Sequence, residues 1–277
     1  MLYDTHLHLI YPNKLQYPWL ENFEALNKPS TFDTYLTRAH RLGITACLHM
    51  EVDIAENQMK EETALVADLM TLPHSPMRGA ISACRPENPN FPDFLDWAQA
   101  VSTIKGFRRV LHVEPDALSQ TDIFRNNIKR LTGTSLTFDL CVLPNQLAVA
   151  SQLVDHCPEV TFILDHCGVP DVKAGEIEPW ASSLSAVAER PNVIAKISGL
   201  IAYGDAENWS LDDLRPFFNH TVSAFGHGRI IWGSDSPVCN LGGGLETWVG
   251  ATHALTNTWQ ATDKAAFLYG NATKIWG

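Results

Sequence analysis

Eight short runs rich in Val, Ile, Leu and Phe recur along this 277-residue chain, each followed by a longer segment, and that alternation narrows the fold more than any other feature. The runs are Met1 to His8, Ile44 to Met50, Arg78 to Cys84, Ile104 to Leu111, Ser135 to Val142, Val160 to Leu164, Val193 to Ile197 and Arg229 to Gly233. Strand-length apolar runs separated by helix-length segments read as βα units on a parallel sheet. Helical spacing and end signals mark Thr31 to Leu42, with a Ser30 or Thr31 cap, and also Asn57 to Met70, Phe91 to Ala100, Gln146 to Cys157 and Trp180 to Glu189. Eight units in this length fit one α/β domain over residues 1–277, a distorted TIM (β/α)8 barrel, for which about 250 residues is typical. Periodicity alone leaves an open sheet as the alternative.

Composition excludes several classes of function. The net charge is -11 and the pI is near 5.4, and no block of lysine or arginine is present that would track a phosphate backbone, so nucleic acid is not expected as a partner. Met1-Leu2-Tyr3-Asp4 enters a strand at once and no 18-residue apolar stretch follows, so the expectation is a cytoplasmic protein with no membrane partner. Cys47, Cys84, Cys141, Cys157, Cys167 and Cys239 form no Cys-x-x-Cys and mostly abut apolar runs, which reads as reduced, buried thiols. Gly242-Gly243-Gly244 lacks the neighbouring Lys-Ser/Thr of a phosphate loop and reads as a flexible turn. A homo-oligomer is compatible with the sequence, which does not specify one.

In a barrel, the polar residues that follow the strands converge at one mouth. Here they are His6 and His8 after the first run, His49 and Glu51 after the second, Arg85 after the third, and Arg108, Arg109 and His112 at the fourth. Asp139 on the fifth, Asp165 and His166 after the sixth, Lys196 and Ser198 at the seventh and Asp235 after the eighth complete the ring. Any one of these can be a solvated or core-paired residue; an accident at nearly every strand end is a far weaker explanation. His6 and His8 sit two apart and so share one strand face. With His166 and Asp235 they make three imidazoles and a carboxylate, a set suited to one divalent metal, zinc foremost, with a position left for water. Asp235 would take the proton of that water as it attacks a carbonyl. The same groups can orient a water with no cation, so metal-free catalysis is the alternative. His49, Arg85, Arg108, His112 and Asp139 are the candidate substrate contacts, with an arginine suited to grip a carboxylate by a bidentate pair.

Five motifs occur in a telling order: Asp4-Thr5-His6-Leu7-His8, Ile163-Leu164-Asp165-His166-Cys167-Gly168, Lys196-Ile197-Ser198-Gly199-Leu200, Trp232-Gly233-Ser234-Asp235-Ser236-Pro237-Val238 and Tyr269-Gly270-Asn271-Ala272. In that order the chain resembles the lactonase branch of the amidohydrolase superfamily, which includes fuconolactonases, rhamnonolactonases and pyrone-dicarboxylate lactonases. The resemblance implies hydrolysis of a cyclic ester, with Asp235 as the base and His6, His8 and His166 polarising the carbonyl directly or through a divalent metal. Two departures stand out. Leu111-His112-Val113 occupies the place where many binuclear relatives carry a carbamylated lysine, which argues against a binuclear centre. Ser236 stands where many lactonases have tryptophan, so packing beside the base differs.

The leading expectation is therefore a hydrolase that opens a sugar-derived or acidic lactone. A lactone isomerase or a metal-dependent decarboxylase would use the same residues, and a noncatalytic barrel that binds a sugar acid ranks last, because every expected acid-base group is present.

Overall fold

A computed structural model describes residues 1–277 and contains eight strands: β1 (Leu2–Leu7), β2 (Ile44–Met50), β3 (Met77–Ala83), β4 (Ile104–Val110), β5 (Thr137–Cys141), β6 (Phe162–Leu164), β7 (Val193–Ile197) and β8 (Ile230–Trp232). They pair in sequence order and every pairing is parallel. Around them lie α1 (Phe32–Ala39), α2 (Met59–Met70), α3 (Phe91–Gln99), α4 (Asp122–Lys129), α5 (Leu147–His156), α6 (Trp180–Ala188), α7 (Leu211–Phe225) and α8 (Leu245–Leu255), followed by the short α9 (Ala261–Ala265) and α10 (Asn271–Trp276). This is a (β/α)8 barrel.

The ring closes at its C-terminal rim. Past the end of β8 the chain runs alongside β1: the Asp235 amide donates to the His6 carbonyl at 2.9 Å, and the His8 amide donates to the Ser236 carbonyl at 2.8 Å. A side chain at Gly233 would put its Cβ 2.7 Å from the His6 Cβ, so only glycine lets the two chain segments meet this closely. Barrel closure and the meeting of the first and last motifs are thus one event.

Strand alternation sorts the side chains. Phe107, Phe138, Leu140, Ala195 and Ile197 join the large core between sheet and helices. Tyr3, Ala46, Leu48, Met50, Ile81, Ile163 and Ile231 form a separate apolar cluster, closed by Trp276 of α10. A third cluster, Ile10, Leu15, Tyr17, Leu20, Leu26, Val52 and Ile54, ties the 11–30 segment to the loop after β2. Trp19 adds a hydrogen bond from Nε1 to the Val52 carbonyl at 2.7 Å. All six cysteines are buried and unpaired. No helix is long and apolar enough to cross a membrane.

Candidate active site

His6, on β1, is buried and sits between two carboxylates, with Nδ1 3.4 Å from Asp165 Oδ1 and Nε2 3.8 Å from Asp235 Oδ1. His8 Nδ1 lies 3.1 Å from the Met50 carbonyl, which can only accept, so this nitrogen carries the proton and Nε2 is bare. Arg108 Nη1 stands 3.5 Å from His6 Nε2, leaving that nitrogen as an acceptor too. The two Nε2 atoms are only 3.2 Å apart, and His8 Nε2 is 3.5 Å from Asp235 Oδ1.

Three lone-pair donors therefore face one point. Nitrogens bound tetrahedrally to zinc at 2.0–2.1 Å are separated by roughly 3.3 Å, close to the spacing here. The His6, His8 and Asp235 set fits a divalent cation. A second set, His6, Asp165 and His166, shares His6. The four residues expected to act together thus form two overlapping groups. His166 Nδ1 lies 3.7 Å from Asp235 Oδ2 and 3.0 Å from Ser198 Oγ, on the far side of the aspartate from His8.

Both His166 and Asp235 occupy the left-handed region, with φ of 54° and 57°. Non-glycine residues seldom adopt it, and such strain gathers where a side chain must be aimed. Gly199 supports the same spot with φ of 72°: a Cβ there would fall 2.6 Å from Asp235 Oδ2 and 3.1 Å from His166 Nδ1.

Burial dominates the electrostatics. It pushes the Asp235 carboxyl up to about 6, with His166 and Arg108 pulling the other way. Desolvation lowers His8 to about 3, lowers His6 well below the usual histidine range and lowers His166 as well, so the imidazoles are neutral at physiological pH. Asp235 Oδ2 is buried with no hydrogen-bond partner, an acceptor left open beside the histidines.

Below this layer Lys196 Nζ donates to Asp139 Oδ2 and, at 2.8 Å, to Asp165 Oδ1, with all three side chains fully buried. Burial opposes charge on Asp165, but Lys196 and His6 outweigh it and hold the carboxyl well below its ordinary range. The carboxylate faces His6 Nδ1 and so favours the tautomer with Nε2 free. Arg108 is clasped by Glu51: Nε donates to its carboxylate and Nη2 to its carbonyl at 2.8 Å, while Nη1 lies 3.6 Å from Asp165 Oδ2.

The expected substrate contacts divide. Arg108 reaches the centre, and His112 lies nearby with Nδ1 3.1 Å from Cys141 Sγ. Arg85 stands at the mouth beside Asp53 at 3.6 Å and Glu56 at 3.7 Å. Asp139 points inward but is sealed under the site by Lys196, where solvent does not reach it. His49 points outward to α2, with Nε2 3.2 Å from Glu62 Oε1, because Leu48 and Met50 take the inward positions on β2. Arg109 faces away from the centre for the same reason and pairs with Glu87 and Glu114, each at 2.9 Å. Tyr203, whose ring sits 6.0 Å from that of His166, carries no motif that marks it in the sequence.

The chain is similar to known proteins in sequence and in fold. The amidohydrolase family model matches residues 3–277. The L-fucono-1,5-lactonase of Burkholderia ambifaria is 32% identical over 116 residues, 42% of this chain and 40% of that protein. The 4-sulfomuconolactone hydrolase of Rhizobium radiobacter is 25% identical over 246 residues, 85% of this chain and 75% of that one. A zinc-bound amidohydrolase structure from Burkholderia multivorans superposes with a TM-score of 0.88 at 20% identity, covering 100% of this chain and 99% of the other. With a family match over almost its whole length and a barrel rim to go with it, the chain belongs to the amidohydrolase family and is a hydrolytic enzyme.

Proposed function

We propose that the protein opens a lactone to its hydroxy acid. The observation that carries the reading is the Asp235 carboxylate: strained, buried, with one oxygen unpartnered and a pKa raised to about 6, set between His6 and His8 on one side and His166 on the other. A carboxylate with such a pKa is suited to take a proton from water near neutral pH and return it later. In the reaction inferred here, Asp235 removes the proton as the water oxygen bonds to the lactone carbonyl carbon. The ring C–O bond then breaks and Asp235 protonates the departing alkoxide. Arg108 Nη1, the N–H donor directed at this point, would stabilise negative charge growing on the carbonyl oxygen, while the bare imidazole nitrogens would act through a bound cation. His6, His8 and Asp235 would hold a divalent cation, which when bound supplies Lewis acidity and lowers the pKa of water. The relatives named as lactone hydrolases support the substrate class.

The test is a pH-indicator assay on five- and six-membered aldonolactones, with and without chelator, using wild type and Asp235→Asn. Proton release by wild type alone is expected. Isomerisation would release no proton and decarboxylation would release carbon dioxide, and an active Asp235→Asn would remove the assigned base.

A further inference from the structure

A cavity of about 90 Å³ lies between α1, the 26–30 segment and the turn that follows Asp235. None of His6, His8, His166, Arg108 and Asp235 lines it, so it is separate from the catalytic centre. At roughly 10–15 Å³ for each water, it has room for several waters or for one small ion. Lys28 and Ser30 face it from the segment, Thr34 and Arg38 from α1, and Ser236 and Asn240 from the turn.

The wall is built of donors. Ser236 is only 5% exposed, yet its Oγ makes no hydrogen bond within the protein and opens onto the cavity. It stands where many lactonases have tryptophan, and the smaller side chain leaves this space open. The side chains of Lys28 and Asn240 have no protein partner either. Arg38 directs Nε and Nη2 to Glu246 and keeps Nη1 unused. No carboxylate lines the cavity, and Asp33 on the first turn of α1 is turned to solvent. The positive end of that helix, capped by Thr31, adds to the field of the two cations. The cavity also backs onto the catalytic rim. The Ser236 carbonyl accepts from the His8 amide at 2.8 Å. Tyr35, another wall residue, donates from its hydroxyl to Asp4 Oδ2 at 2.7 Å, and Asp4 Oδ1 holds the Ser234 and His6 amides.

We propose that this cavity is a second binding site, for a small tetrahedral oxyanion of the phosphate type. Donors reach it from three chain segments, and a tetrahedral ion presents an oxygen to each, whereas the two oxygens of a planar carboxylate cannot meet all three. An occupant would brace both segments that close the barrel, the turn after Asp235 through Ser236 and β1 through Tyr35 and Asp4.

Titration calorimetry with inorganic phosphate at constant ionic strength tests this. One saturable site per chain is expected, with a Kd of about 1 mM or tighter, together with a rise in Tm. Acetate should bind at least tenfold more weakly. Lys28→Gln and Arg38→Gln should each weaken phosphate binding at least fivefold, and Ser236→Trp should abolish it by filling the space, with the fold of each variant checked by circular dichroism. Glycerol 3-phosphate separates the sources: tighter binding than phosphate assigns the site to a phosphomonoester, weaker binding to the free ion. No saturation by about 20 mM phosphate, equal binding of acetate, or undiminished binding in both folded Lys28→Gln and Arg38→Gln would overturn the proposal.

Discussion

The Nε2 atoms of His6 and His8 lie 3.2 Å apart with no proton assigned to either, one kept bare by the Met50 carbonyl at the opposite ring nitrogen of His8 and the other facing Arg108. Two lone pairs and the Asp235 carboxylate directed at one point repel each other unless a cation lies between them. Zinc should therefore bind at one equivalent per chain and raise Tm. His8→Ala should weaken binding by at least 100-fold, read by calorimetry and by metal content after dialysis. Undiminished binding in that variant would place the metal elsewhere.

Asp235→Asn should lower turnover by at least a thousandfold while making the metal-free fold more stable. Its carboxyl is raised to about 6 by burial, so above that pH the folded protein carries a desolvated charge that the unfolded chain carries in water. Between the unfolded pKa near 3.9 and the folded value, the native state binds more protons, and the cost grows as pH rises. The stability advantage of the variant is expected to be of the order of 1–3 kcal/mol at pH 7–8 and to vanish as pH falls toward 4. Denaturant melts across that range check the sign. Catalysis by the metal-free wild type should rise along one acidic limb near pH 6, where Asp235 becomes a base.

Removing Lys196 tests the layer beneath. Lys196→Met leaves Asp139 and Asp165 as two buried carboxylates without their shared cation, and losing one partner of a buried ionic group costs about 3–5 kcal/mol. Adding Asp139→Asn should restore part of that loss by removing one of the two charges. Urea denaturation measures both. No recovery in the double variant would show that the lysine acts through packing alone.

Gly199→Ala addresses the support of the base. The residue holds φ of 72°, which costs an L-residue about 1–2 kcal/mol, and the added methyl would lie 2.6 Å from Asp235 Oδ2. Turnover should fall at least tenfold, with a smaller change in KM. Unchanged kcat would mean that Asp235 has room to shift without consequence.

Much of the barrel was legible because βα alternation and strand parity are local properties of the chain. All eight runs correspond to strands, with ends displaced by a few residues, and α1, α2, α3, α5 and α6 fall within the expected helical segments, with Thr31 capping α1. Apolar neighbours on β5 could even have shown that Asp139 faces inward between Phe138 and Leu140. They could not show that Lys196, two strands away, would seal it from the site.

The sequence by itself determined which residues could carry chemistry: the histidine pair on β1, the Asp-His after β6 and the aspartate after β8, each at a strand end. Tertiary structure decided which of them meet. Closure brings Asp235 beside His6 and His8, while the facing direction of β2 turns His49 to Glu62 and that of β4 sends Arg108 inward and Arg109 outward. The physical reason is one of range. Side-chain direction repeats every two residues and is written locally, whereas pairing between charges depends on how eight strands stagger around a ring, which no single segment contains.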